Sequence, residues 1–187
     1  MTHIDLADHE RAVADLAHVM AGLRQTPGRV GIESAAREVV ESASDGGAFL
    51  LAMVTPDGAD PALLTGVVLE VPDGWDTGTA EGLRDAMENV GGPDVQDSVA
   101  LTSLLGPAVV AQRVPGVEQE RGGEPMVLQL QGFVVDPAEN RMLLLTLAAP
   151  SAGGWPEHQR LFTAVLTSAS PDGADEDEPF EVRPVPL

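Results

Sequence analysis

The residues of this sequence whose types invite chemistry are its histidines, a strand-ending arginine and two tryptophans. The histidines are His3, His9, His18 and His158. A serine nucleophile would need one of them as a base within hydrogen-bond reach, and no G-x-S-x-G turn is there to hold such a serine. His9 and His18 sit among Asp5, Asp8, Glu10 and Asp15, a metal-like composition. On one helix, however, the two rings fall about half a turn out of phase and cannot grip one ion. His158 stands one turn from both Trp155 and Phe162, so it reads as a part-buried histidine with a backbone partner, the alternative being a pocket-lining donor. Arg113 ends an apolar strand beside Gln112. It reads as one half of an ion pair at the sheet edge, or as the anchor for an acidic ligand or partner group. Trp75 and Trp155 each open a helix after a glycine-containing loop; such a residue seals the end of a core or serves as an interface anchor.

Other chemistries fail on composition. There is no lysine for a phosphate-binding loop and no G-x-G-x-x-G after a strand. There is no cysteine for a disulfide, a thiolate nucleophile or a cysteine-based metal site. Pro-Asp-Gly-x-Asp recurs at Pro56–Asp60, Pro72–Asp76 and Pro171–Asp175. Proline presets a turn, aspartate caps it and glycine takes positive φ, and none of the three continues into a calcium loop. No catalytic residue, cofactor or metal is therefore expected, and the chain reads as a protein that is not an enzyme.

The chain has 187 residues, 30 acidic against 10 basic, for a formal charge of −20, and every basic residue is an arginine. Such a charge repels nucleic-acid phosphates and anionic membrane surfaces, which are bound through Lys and Arg. No apolar run approaches the roughly 20 residues of a membrane span. The first residues show neither a basic nor an apolar signal region. The expectation is a cytoplasmic protein with no nucleic-acid or membrane partner.

The elements that must position these residues follow from periodicity. From Asp5 to Arg24, Leu6, Val13, Leu16, Met20 and Leu23 form one stripe, with His9 in the remaining seam position, which predicts an amphipathic helix. It docks on its own domain or forms a homodimer or partner seam. Pro27-Gly28 breaks the chain. A second helix is expected over Glu33–Ala43, a third over Thr79–Val90 and a last from Trp155, where Pro156 suits a first helical turn. Strands are expected at Phe49–Val54, Leu63–Val71, Val99–Leu104, Ala108–Val114, Met126–Val135 and Arg141–Ala149. The segment Glu118–Pro125 reads as a polar, Gly-rich loop. After Ser170 acids alternate with prolines, which predicts a disordered tail.

The fold class expected is α+β, a mainly antiparallel sheet of about six strands flanked by helices. Residues 1–27 would carry the N-terminal helix, 28–170 the α+β domain and 171–187 the acidic Pro-rich tail.

Four segments carry a resemblance: Gly106-Pro107-Ala108-Val109-Val110-Ala111-Gln112-Arg113; Leu128-Gln129-Leu130-Gln131-Gly132-Phe133-Val134-Val135-Asp136-Pro137; Met142 through Pro150; and Leu161 through Leu166. In this order they resemble a group of small, mostly uncharacterised high-GC bacterial proteins with a PsbP-like (Ran-binding-protein-like) α/β/α sandwich. The resemblance implies a scaffold used for protein interaction, in some members linked to secretion or the cell envelope, and it carries over no catalytic residue. Two functions follow as expectations. One is a non-enzymatic interaction or adaptor protein with a protein partner. The other is a small-molecule binder or enzyme with a pocket between sheet and helix, lined by Trp155, His158, Arg113 and Phe133.

Overall fold

The computed structural model describes residues 1–22, 29–91, 95–113 and 128–170. The Pro27-Gly28 break, Leu23, the Glu118–Pro125 loop and the tail over 171–187 lie outside the described residues. Within them the order is β1 (Thr2–His3), α1 (His9–Gly22), α2 (Arg29–Asp45), β2 (Ala48–Val54), β3 (Ala62–Glu70), α3 (Ala80–Gly91), β4 (Val95–Thr102), β5 (Pro107–Arg113), β6 (Leu128–Asp136), β7 (Arg141–Ala149) and α4 (Trp155–Thr167).

Local chemistry sets the boundaries. Asp8 caps α1, its carboxylate accepting the Arg11 amide at 3.1 Å, so the helix begins later than the apolar stripe alone suggests. Asp5 instead accepts the amide of Ala7 at 3.0 Å and holds the entering chain. Thr79 caps α3 through the Gly82 amide at 3.0 Å. Ser103 organises the turn between β4 and β5, accepting the amides of Leu105 and Gly106 and donating to the Gly106 carbonyl. It therefore ends β4 earlier than the apolar run through Leu104 implies.

All strands pair antiparallel in one seven-stranded sheet of order β1-β2-β3-β7-β6-β5-β4. The expected six becomes seven because Thr2 and His3 pair with Met53 and Ala52. That pairing joins the first residues of the chain to the sheet. Side chains alternate between faces along each strand. Register therefore carries Met53, Leu63, Ala148, Gln129 and Arg113 onto one face, and Ala52, Leu64, Leu147, Leu130 and Gln112 onto the other.

Helices cover both faces. On the first, Ala12, Val13 and Leu16 of α1 and Ala36 and Val40 of α2 bury against Ile4 and Leu51. On the same face Leu83 and Met87 of α3 bury against Val109, Ala111, Val135 and Met142. The second face belongs to α4, whose Phe162 and Leu166 pack on Val54, Leu64, Leu130, Val134 and Leu147. Fully burying side chains of this size contributes about 1.5–3 kcal/mol each. Gly132 makes the approach of α4 feasible: a Cβ there would lie 2.5 Å from the Leu166 methyls. The architecture is α+β, an antiparallel sheet between helical layers.

Candidate functional site

The expected pocket residues separate. Trp155 and His158 lie on α4, over the second face, whereas register puts Arg113 and Phe133 on the first. The sheet stands between the two pairs, so the pocket proposed from sequence does not form from them. His158 is fully buried, and its Nε2–H donates to the Asp60 carbonyl at 2.8 Å. A carbonyl only accepts, which fixes the proton on Nε2. The ring thus tethers the start of α4 to the turn between β2 and β3. Ser151 donates to the Asp60 carboxylate at the same corner, and the Asp60 amide donates to the Gly153 carbonyl at 3.0 Å.

Arg113 is not at the sheet edge as expected, because β4 pairs outside β5. Its guanidinium donates to Gln131 at 3.2 Å. Trp75 is half-buried against Phe133, ring centroids 6.5 Å apart, and seals the α3 cluster. Trp155 is half-buried too, its indole N–H donating to Gln112 at 3.3 Å. Gln112 also accepts from the Gln159 amide at 3.0 Å. The neighbour of Arg113 is therefore the residue that meets the tryptophan, one position away and on the opposite face.

The N-terminal stripe is used within the chain. Val13 and Leu16 are buried, and Leu6 and Met20 pack against the same cluster. His9 is half-buried beside Glu10, at 3.8 Å. Across the outer surface Arg37 of α2 grips Glu10 with two hydrogen bonds, 2.9 and 3.2 Å. That bond, with the Arg37 charge, holds the Glu10 carboxyl below its ordinary range and raises Arg37 in turn.

The strand expected over Val99–Leu104 is longer at its start and ends earlier, at Val95–Thr102, and its place at the edge of the sheet is what the sequence does not reveal. β4 is an edge strand of eight residues, and among the described residues no other strand pairs with its outer side. An edge strand presents a row of unpaired N–H and C=O groups to any extended chain that reaches it. A bulge between Val95 and Asp97 disturbs one end, after which the pairing is regular to Thr102. Asp97, Val99 and Leu101 face the second side of the sheet, Ser98, Ala100 and Thr102 the first. Val99 is 50% exposed, and Leu104 just beyond the strand is 65% exposed.

Between this strand and α4 runs a groove of about 250 Å³. Its apolar floor is Val99, Leu101, Val110 and Leu130, and its polar rim is Asp97, Gln112, Gln159 and Thr163. Two other concavities, about 340 and 440 Å³, run along α2. Neither lies beside an open strand edge of comparable length, since the other edge strand, β1, has two residues. The alternation of Asp97, Val99 and Leu101 with Ser98, Ala100 and Thr102 is the signal by which the sequence announces β4.

No family model matches the chain, and no curated protein sequence does. Among solved structures it is similar to PA94 from Pseudomonas aeruginosa, a protein of unknown function, at 14% identity and a TM-score of 0.47, over 66% of this chain and 83% of that one. Among the described residues, no helix is long and apolar enough to cross a membrane.

Proposed function

We propose that this chain is a non-enzymatic interaction or adaptor protein, and that it takes an extended segment of a partner protein along β4. The observation that carries the reading is an eight-residue edge, unpaired on its outer side among the described residues, lying directly beside an apolar groove. Strand addition draws affinity from main-chain hydrogen bonds and specificity from pockets for alternate side chains. Here the edge supplies the first, and Val99, Leu101, Val110 and Leu130 supply the second. The groove's volume favours this over a small ligand. At about 250 Å³ it falls below the roughly 300–1,000 Å³ of pockets that enclose one, yet it suits a few side chains laid in a row. An interaction role is also what the PsbP-like resemblance implies.

The test is a photo-crosslinking side chain placed at Val99 in the full chain within its own cell, with the same group at Asp57, in the turn between β2 and β3, as control. A partner peptide attached at position 99 and absent at 57 is the expected result. Equal labelling at both positions, or none at 99, sinks the reading.

A further inference from the structure

The charge around β4 specifies the kind of segment that fits it. α3 packs beside β4 on the first face, and its Glu88 accepts the Ser98 hydroxyl. Three carboxylates of that helix share one guanidinium: Arg84 lies 2.7 Å from Glu81, 3.8 Å from Asp85 and 3.9 Å from Glu88. On the second face Asp97 stands at the end of the groove, where its carboxylate accepts the Ser98 amide at 2.9 Å. Among the described residues no basic side chain pairs with it. The strand thus has a net acidic flank on the α3 side and an apolar groove, ended by one carboxylate, on the α4 side.

Resting on the strand-addition reading above, we infer that the partner segment alternates basic with apolar residues. A strand added to β4 sends successive side chains to opposite faces. Every second residue meets Val99 and Leu101 and belongs to the apolar set. The residues between them point toward α3, where Glu88 reaches Ser98 and the net charge of Glu81, Arg84, Asp85 and Glu88 is negative, so lysine or arginine complements that side. A residue beyond the groove's end, opposite Asp97, is basic as well. A second copy of this chain is the wrong occupant. It carries the same −20, and pairing two β4 strands brings two acidic flanks together, where like charges oppose association.

The experiment uses the full chain and labelled peptides long enough to span β4: one alternating lysine and valine, one alternating glutamate and valine, and one with the lysines and valines segregated into blocks. Binding is read by fluorescence anisotropy. The lysine–valine alternate is expected to bind, and both others to bind at least about tenfold more weakly. Raising salt weakens the complex, because the Debye length falls from about 10 Å at 0.1 M to about 3 Å at 1 M. Glu88→Gln weakens it about two- to fivefold, as expected of an exposed ion pair. Val99→Arg, a change at a half-exposed edge position whose melting temperature checks that it folds, abolishes it. If the glutamate–valine peptide binds equally well and Val99→Arg removes both, the edge reading stands and the basic partner is overturned. If Val99→Arg leaves binding intact, or if light scattering shows a dimer that Val99→Arg dissociates, the peptide is not on this edge or a second copy is, and the reading on which the inference rests fails with it.

Discussion

Gly154→Ala tests how α4 is held against the sheet and, with it, the wall of the groove. Gly154 precedes α4 at φ 72 and ψ 30. The left-handed region costs a residue with a Cβ about 1–2 kcal/mol. Steric approach adds to this, because the new Cβ would lie 2.3 Å from both Cα and Cβ of Ala59 and 2.8 Å from the Gly58 carbonyl oxygen. Two of these contacts are with backbone, which cannot rotate away, and overpacking of this kind costs about 1–3 kcal/mol. The sum is about 2–5 kcal/mol. At about 2–4 °C per kcal/mol for a chain of this size, Tm should fall by about 4–20 °C. Gly74 supplies the control, with φ 82 and nothing within 4 Å of its added Cβ. Gly74→Ala carries only the backbone component, about 2–8 °C by the same scale. The assay is thermal denaturation of both full-length variants followed by far-UV circular dichroism. Equal melting temperatures for the two would refute the claim that the β2–β3 turn and the start of α4 are pressed together.

Two further outcomes follow from the first sheet face. Leu16→Ala should destabilise by about 2–5 kcal/mol through the cavity it leaves, by the same amount at every protein concentration, since Leu16 is buried within the chain; a denaturation midpoint that rises with protein concentration would show an intermolecular seam instead. The Glu10 carboxyl, held down by Arg37, should titrate below the ordinary glutamate range by NMR. Its pair with Arg37 contributes at pH above that range and is lost as pH falls through the lowered value. Arg37→Ala should move the titration back up, and an unmoved midpoint would remove Arg37 as the cause.

β7 was legible because its run from Met142 to Ala149 is apolar but for the β-branched Thr146, and α2 and α4 because their stripes repeat at helical spacing. β4 was read short. An edge strand wets one side, so its Gln96, Asp97 and Ser98 look like loop, while Leu104, in the turn that Ser103 organises, looks like strand. β1 is too short to have a pattern at all. The N-terminal stripe posed a different problem. The spacing of Val13, Leu16 and Met20 is the same for a helix packed on its own sheet and for one packed on a second copy. Only the position of α2 and Leu51 decides between them. The failed pocket turned on parity: moving one residue along a strand changes the face, and which face α4 covers depends on pairings between strands far apart in sequence. Gln112 reaches Trp155 and Arg113 does not for that reason alone.

Backbone amide hydrogen exchange on the full chain, free and saturated with the lysine–valine peptide, tests the central claim most directly. An added strand satisfies the outward-facing amides of β4, so exchange within residues 95–102 should slow on binding while that of α1 and α2 stays as it was. Protection confined to α1 and α2, with β4 unchanged, would contradict the account.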